Sequence, residues 1–407
     1  MKRIKFFTLG CKANQYDTQS IRERFLSRGF KDSGNSPQAD YFLINTCTVT
    51  SGADQKSRNI IRRCIQDNPG AVVIVTGCMV EKDWKALADI RGISLIVKKG
   101  FFPEGISGFS RHTRAFLKIQ DGCDNFCSYC KVALVRGKRR SKDIHEILKE
   151  AKQLVGCGFK EIVLTGICLG AYGKDSSSRV GLVDVIKALE TIEGLSRIRL
   201  SSIEAGDVSA ELIEHMSESK KLCRHLHIPI QSGDNDILKR MNRKYTSQKY
   251  ASLISGIKRD IPGVAITTDC LVGFPGEAEE DFNNTVKLVK RIVSLKTHIF
   301  PYSIRPGTKA ADFDGMVDAK TVRSRCISLE KVSIECRDRF MRGFVGKKAL
   351  VLVEGVSRGE PEYLEGLTDN YLKVKLLFKP GLRNSIVRVK LKNISGDGFI
   401  GEYIDNL

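Results

Sequence analysis

The sequence predicts an α/β protein in three parts: an N-terminal parallel α/β domain, a central partial (β/α)6 barrel and a C-terminal small all-β barrel. Apolar segments of strand length alternate with amphipathic segments of helix length as far as residue 342, which favours parallel sheets covered by helices. From residue 343 onward, short alternating strands are separated by Gly, Asn and Asp, as is typical of a small β-barrel. The predicted domains are 1–100, 109–342 and 343–407.

The N-terminal domain repeats one pattern, in which an apolar strand runs up to a cysteine and a helix follows. The three strand segments cover 5–11, 41–47 and 72–78, and the helices cover 15–28, 52–67 and 83–90. Ligands of parallel sheets bind beyond the carboxyl ends of the strands. We therefore expect Cys11, Cys47 and Cys78 to meet at one edge of the sheet as a shared metal site. Ordinary packing of buried cysteines is the alternative.

The central part contains six strand–helix units, enough to close or nearly close a barrel. Residues 98–115, rich in Gly, Ser and basic side chains, are interpreted as the linker that precedes it. A basic helix over 320–342 ends this part. The predicted barrel strands are 116–120, 161–165, 197–202, 225–230, 265–272 and 297–302, and the predicted C-terminal strands are 349–353, 371–377 and 386–392.

Composition restricts the class of protein. The net charge of +20 favours a polyanionic partner such as nucleic acid, although an ordinary Lys-rich surface would give the same charge. The thirteen cysteines accompany no recognisable secretion signal, so metal or redox chemistry in the cytoplasm is expected rather than disulfides. No apolar run approaches the roughly 18–20 residues of a membrane span, so no membrane partner is expected.

A CxxxCxxC motif, formed by Cys123, Cys127 and Cys130, follows the first predicted barrel strand. Three thiolates on one loop can hold three irons of a [4Fe-4S] cluster, which usually takes four cysteines. The fourth iron then keeps an open coordination position, as in a catalytic metal site. A zinc site completed by a distant fourth ligand is the alternative.

The motif, with Tyr129 before its last cysteine, resembles that of the radical S-adenosylmethionine superfamily. Three single cysteines before it and a small β-barrel after it resemble the methylthiotransferases of that superfamily over essentially the whole chain. The resemblance implies that the cluster on Cys123, Cys127 and Cys130 binds S-adenosylmethionine and generates a radical. It also implies a second [4Fe-4S] cluster for sulfur transfer on the first three cysteines, and an RNA-binding TRAM-like barrel over 343–407.

The resemblance further implies a set of cofactor contacts at strand ends. Glu204 is suited to accept hydrogen bonds from the ribose hydroxyls, with a solvated loop glutamate as the alternative. The remaining cysteines are interpreted as structural or incidental, Cys168 with the least support because it follows a barrel strand. The implied S-adenosylmethionine contacts are Tyr129, Thr165, Gly166, Ser202, Glu204, Gln231, Asp269 and Phe274.

A basic run follows the CxxxCxxC motif, and a run of this kind can bind RNA phosphates or form a solvated face. The candidate RNA contacts are Arg136, Lys138, Arg139 and Arg140.

Three branches of the family differ in target, and residues 8–17 most resemble the branch that acts on threonylcarbamoyladenosine in tRNA. The expected reaction is methylthiolation of N6-threonylcarbamoyladenosine at position 37 of the tRNA anticodon loop. The expected partners are a flavodoxin- or ferredoxin-type electron donor and a sulfur source. Isopentenyladenosine-37 or a ribosomal-protein aspartate is the alternative target, and an iron–sulfur RNA-binding sensor without catalysis is the alternative class. Departures from the pattern are the missing Pro after Cys130, Lys142 in place of Arg and Cys168 in place of His.

Overall fold

The N-terminal part is a parallel five-stranded sheet with three helices. A computed structural model describes residues 1–101, 105–110, 112–175 and 180–406. The elements are β1 (Arg3–Thr8), α1 (Lys12–Ser27), β2 (Lys31–Asp32), β3 (Tyr41–Thr46), α2 (Ser51–Asp67), β4 (Val72–Gly77), α3 (Cys78–Ala88) and β5 (Leu95–Ile96). The strand order is β2-β1-β3-β4-β5, and the apolar strands β3 and β4 are buried along almost their whole length.

The central part is an open barrel of six parallel strands, so the predicted partial (β/α)6 architecture is confirmed. The elements are β6 (Arg114–Lys118), β7 (Gln120–Asp121), α4 (Val132–Arg136), β8 (Arg140–Ser141), α5 (Ile144–Gly156), β9 (Glu161–Thr165), α6 (Leu182–Glu190), β10 (Arg197–Leu200), α7 (Ala210–Glu218), β11 (His225–His227), α8 (Asn235–Arg240), α9 (Ser247–Asp260), β12 (Ala265–Val272), α10 (Glu279–Ile292), β13 (Lys296–Pro301) and α11 (Ala319–Arg342). The six barrel strands form two three-stranded sheets, β6-β9-β10 and β11-β12-β13, joined by parallel bridges such as Ser202 to His227.

The predicted linker 98–115 lies partly outside the described residues, and its described part packs against the barrel. Ile106 and Phe109 are buried in the central hydrophobic core. The linker prediction is therefore wrong for these residues, because their apolar side chains are part of a folded core rather than a solvated connection.

The C-terminal part is a closed barrel, as predicted. Its elements are β14 (Lys348–Ser357), β15 (Glu360–Thr368), β16 (Lys373–Leu377), β17 (Ile386–Ser395) and β18 (Gly398–Asn406), in the strand order β14-β15-β16-β18-β17. The sequence did not predict β15 and β18, because Glu and Gly interrupt their apolar alternation. The barrel docks against the beginning of the central strands, where Arg199 donates hydrogen bonds to the carbonyls of Thr368 (3.0 Å) and Asp369 (2.8 Å).

Candidate active site

Three cysteines, called here the N-terminal trio, follow the carboxyl ends of β1, β3 and β4. Cys47 and Cys78 are buried, whereas Cys11 is exposed. Burial raises the pKa of Cys47 to about 11, and the thiols of Cys78 and Cys11 contribute to the rise. The thiols of Cys11 and Cys78 therefore both lie within electrostatic range of Cys47, at the sheet edge that the strand pattern predicts.

Two glycines with positive φ allow the backbone around the N-terminal trio to approach closely. Gly10 has a φ of +94°, and a Cβ there would lie 2.8 Å from Sγ of Cys47. Gly77 has a φ of +102°, and a Cβ there would lie 2.4 Å from both Oδ1 of Asn45 and the carbonyl oxygen of Thr46. Only glycine fits at these two positions without displacing a strand end.

Asn14 ties the loops of the N-terminal trio together. Its Nδ2 donates hydrogen bonds to the carbonyl oxygens of Leu9 (2.7 Å) and Thr46 (3.0 Å), one at each of two strand ends. Its Oδ1 accepts from the thiol of Cys78 at 3.8 Å. One buried amide on the first turn of α1 thus fixes the spacing between the three strand ends.

Three further cysteines, the CxxxCxxC trio, lie on the loop between β7 and α4. The loop is anchored on the end of α8, because Oγ of Ser128 donates to the carbonyl of Arg240 (2.8 Å) and its backbone N–H donates to that of Met241 (3.1 Å). Nδ2 of Asn242 donates to the carbonyl of Phe126 (3.0 Å), a residue with a φ of +47°. The loop conformation is therefore held from outside.

The three thiols of this loop have different surroundings. A hydrogen bond from Cys168 lowers the pKa of Cys123 to about 7. Burial raises the pKa of Cys127, and it raises the pKa of Cys130 to about 12. A metal centre would supply the positive charge that buried thiolates need.

Arg243 lies against the CxxxCxxC trio. Its Nη1 is 3.3 Å from Sγ of Cys127 and 3.2 Å from Oε1 of Glu204. Glu204, which we expected to accept from ribose hydroxyls, therefore has this guanidinium as its partner. Arg243 pairs with the carboxylate and opposes the rise in the pKa of Cys127 that burial causes.

Two of the expected cofactor contacts, Phe274 and Thr165, are wrong because their side chains are buried. Phe274 is 0% exposed and packs edge-on against Tyr129, with ring centroids 6.4 Å apart, so a cofactor finds no surface on it. Thr165 is 1% exposed, and its hydroxyl donates to the carbonyl of Val163 at 3.2 Å. Both residues support the site from behind, whereas Tyr129 is only partly buried.

The other expected contacts stay predictions, and the structure places them at strand ends. The N–H of Gly166 donates to Oγ of Ser201 at 3.3 Å, and Gln231, with a φ of +65°, pairs its backbone with Asp269. Ser202 and Asp269 line a cleft of about 690 Å³. The cleft runs between the inner faces of β10 to β13, α11 and the C-terminal barrel.

Comparisons with known proteins agree with this geometry. The model of the radical SAM superfamily matches residues 117–289, and that of "Uncharacterized protein family UPF0004" matches residues 3–98. The threonylcarbamoyladenosine tRNA methylthiotransferase MtaB of Bacillus subtilis is 38% identical over 96% of this chain and 94% of its own length. The chain belongs to the radical S-adenosylmethionine methylthiotransferase family.

Other relatives support the same family and fold. The tRNA-2-methylthio-N(6)-dimethylallyladenosine synthase of Clostridium tetani is 34% identical over 98% of this methylthiotransferase and 95% of its own length. The methyltransferase TsrM of Kitasatospora setae shares the fold, with a TM-score of 0.55 at 14% identity over 76% of this chain and 77% of its own. None of the helices in the described ranges is both long and apolar enough to cross a bilayer.

The donor set fits the cofactors that the family implies, namely S-adenosylmethionine and a [4Fe-4S] cluster. Three thiols on one externally held loop are soft ligands of the kind that iron–sulfur clusters take. The alternative of a sensor without catalysis is wrong, since this methylthiotransferase is an enzyme of sulfur-containing group transfer.

The structure contradicts one candidate RNA contact of the methylthiotransferase. Arg136 is buried and donates to both carboxylate oxygens of Asp121, at 2.8 and 3.0 Å, so it has no surface for a phosphate. Lys138 and Arg140 are exposed, and Arg139 is half-buried with an ion pair to Asp124 at 2.9 Å.

Three residues of the site escaped sequence reasoning. Arg243 stands in a basic stretch that resembles a solvated surface, and Asn14 lies on a helix next to a candidate ligand without any metal-binding spacing of its own. Cys168, interpreted as structural or incidental, lies against Cys123. Its position after a barrel strand was the only signal that could have found it.

Proposed function

We propose that this methylthiotransferase converts N6-threonylcarbamoyladenosine at position 37 of the tRNA anticodon loop to its 2-methylthio derivative. The observation that carries the proposal is the presence of two separate thiol trios, each following strand ends. Relatives support the substrate: the B. subtilis protein carries threonylcarbamoyladenosine in its name, as does one from Chlamydia pneumoniae that is 34% identical over 98% of both chains.

We infer that the CxxxCxxC trio holds the cluster that binds S-adenosylmethionine and that the N-terminal trio holds a second [4Fe-4S] cluster. When bound, these groups would supply the radical chemistry that activates the C2–H bond of the adenine, the sulfur to be transferred and, from a second S-adenosylmethionine, its methyl group. The guanidinium of Arg243 stabilises the thiolate of Cys127. Phe274, buried against Tyr129 of the loop, excludes water from its inner side.

The proposed function also requires tRNA, an electron donor and a sulfur source as partners. We propose that the exposed Lys138 and Arg140, together with Arg139, bind tRNA phosphates and that the C-terminal barrel is a TRAM-like RNA-binding domain. A flavodoxin- or ferredoxin-type donor would supply electrons, and a separate source would supply sulfur. All thirteen cysteines lie in the described ranges as free thiols, which suits the reducing cytoplasm.

The decisive experiment separates the two trios. The protein is reconstituted without oxygen, its iron and sulfide are measured, and tRNA nucleosides and 5′-deoxyadenosine are quantified by mass spectrometry. We expect both Cys123→Ala and Cys47→Ala to abolish methylthiolation, but only Cys123→Ala to abolish 5′-deoxyadenosine formation. Cys64→Ala, which removes a buried thiol of the same N-terminal part outside the trio, should keep both activities.

Two outcomes would contradict the proposal. Methylthiolated tRNA from Cys47→Ala would exclude a second cluster on the N-terminal trio. Modification of isopentenyladenosine or of a ribosomal protein by the wild type, with threonylcarbamoyladenosine left unchanged, would assign the enzyme to another substrate.

A further inference from the structure

Lys12 extends from the N-terminal part into the barrel. It is the first residue of α1, directly after Cys11, and α1 packs along β6, an edge strand of the central barrel. The ammonium lies within electrostatic range of Glu161 in β9 and Tyr371 in the C-terminal barrel. Lys12 also lines the cleft of about 690 Å³ that Ser202 and Asp269 border.

The cations of this cleft differ in their partners. Lys373 pairs with Asp397 at 2.5 Å, and Arg337 pairs with Asp338 at 2.9 Å. Lys296 lies exposed at the cleft rim. Lys12 is only partly accessible, and among the described residues it forms neither a hydrogen bond nor an ion pair.

The charges nearest Lys12 only partly compensate its own charge, because Glu161 and Tyr371 favour the ammonium and two arginines oppose it. Arg114 and Arg199 are close to it, and both already interact with the carboxylate of Glu161, at 3.9 and 2.7 Å. Arg114 also pairs with Glu354 at 2.7 Å, and Arg197 lies 3.7 Å from Glu161, so arginines already occupy both carboxylates. A sheltered ammonium beside two guanidiniums is unfavourable unless a ligand brings a negative charge.

The cleft suits a modified purine as that ligand. Its volume falls within the roughly 300–1,000 Å³ of small-molecule sites. The rings of His227, His298 and Phe300 line it, and aromatic faces of this kind stack on bases. The threonylcarbamoyl group carries one carboxylate, whereas the isopentenyl group is an uncharged hydrocarbon.

We propose that Lys12 binds the carboxylate of the threonylcarbamoyl group and thereby selects this substrate over isopentenyladenosine. The inference rests on the proposed function and deepens it. Because Lys12 follows Cys11, the same contact would place the adenine next to the N-terminal trio, from which sulfur is proposed to come.

The test compares a ligand that carries the free carboxylate with its methyl ester, which lacks that charge. Threonylcarbamoyladenosine and its methyl ester are equilibrated by dialysis with the reconstituted enzyme and with Lys12→Gln, Lys12→Arg and Lys56→Gln. A hydrogen bond to a charged group predicts about 10- to 100-fold weaker binding of the free acid by Lys12→Gln, with the ester unaffected. Lys12→Arg should retain the preference for the acid. Lys56→Gln changes an exposed lysine of α2 outside the cleft and should match the wild type.

Each outcome decides the matter. Equal affinity of the wild type for acid and ester, or an unchanged preference in Lys12→Gln, overturns the proposal, and so does a change confined to the KM for S-adenosylmethionine. If Lys12→Gln loses iron, the comparison of acid and ester in the wild type decides alone. A wild type that modifies isopentenyladenosine instead refutes the proposed function itself, whereas unchanged kcat/KM of Lys12→Gln on threonylcarbamoyladenosine-containing tRNA refutes only the role of Lys12.

Discussion

Arg136 joins the two trios, and its replacement by methionine should destabilise the contact between the N-terminal part and the barrel. Its Nη1 donates to Asp121, two residues before Cys123, and its Nη2 donates to Oδ1 of Asn14 at 2.5 Å. The side chain is 2% exposed. Burial alone would raise the pKa of Asp121, but Arg136 and then Lys118 hold it well below its usual value.

The size of the effect follows from what remains after the substitution. Removing one partner of a buried ion pair typically costs about 3–5 kcal/mol. Lys118 stays within 3.2 Å of Asp121 and 2.6 Å of Asp17, and Lys99 stays within 3.2 Å of Asp17, so neither carboxylate is left without a cation. We therefore expect the lower end, about 3 kcal/mol, which corresponds to roughly two orders of magnitude in the folding equilibrium.

The assay is anaerobic urea unfolding at matched iron content. Arg136→Met should show the full loss of stability, and the double variant Arg136→Met/Asp121→Leu should recover part of it, since an apolar pair leaves no buried charge unpaired. Lys138→Gln, which changes an exposed neighbour, should stay within about 0.5 kcal/mol of the wild type. If Arg136→Met were as stable as the wild type but bound tRNA less tightly, Arg136 would face RNA and the buried network would be refuted.

Two further predictions concern the strand ends and the docked barrel. The Gly77→Ala variant should bind about half as much iron as the wild type, because the added Cβ would collide with Asn45 and Thr46 beside the N-terminal trio. Iron analysis checks this. The Arg199→Met variant should have an unfolding free energy about 3 kcal/mol lower, because Glu161 loses its 2.7 Å partner and the C-terminal barrel loses two hydrogen bonds. Urea unfolding measures that loss, and limited proteolysis should cleave the C-terminal barrel faster.

Matched variants make both outcomes interpretable. Gly52→Ala adds a methyl group where no atom lies within 4 Å, so it should keep all iron; equal loss in both glycine variants would contradict the steric argument. Arg199→Met combined with Glu161→Leu should regain part of the lost stability. A double variant no more stable than Arg199→Met alone would show that the ion pair is not what the substitution breaks.

The architecture was predictable from sequence where burial leaves a simple pattern. β3 and β4 are buried on both faces, so each appears as a continuous apolar run, and each ends beside a cysteine. The CxxxCxxC trio was easy to recognise because its three cysteines are neighbours in sequence. β15 and β18 were missed because polar residues and glycines break the period-two alternation.

Side-chain roles were less predictable, because their partners are remote in sequence. Arg136 belongs to a run of basic residues, and nothing nearby indicates that Asn14, 122 residues away, accepts its hydrogen bond. Arg243 and Cys127 are 116 residues apart in sequence, so no local pattern indicates their contact either. Thr165 was placed at the correct strand end, but the direction of its hydroxyl depends on packing that a motif does not encode.

The beginning of α1 explains how substrate and sulfur could be brought together. Cys11 immediately precedes the helix, Lys12 points to the cleft, and Asn14 accepts from Cys78 and Arg136. Asp17, one turn later, binds Lys118 of β6 at 2.6 Å. A shift of this helix would therefore disturb the N-terminal trio, the cleft and the barrel contact together. Since group transfer requires reacting atoms to be held within a few ångströms, the proposed function would depend on this one helix end, which contacts all three.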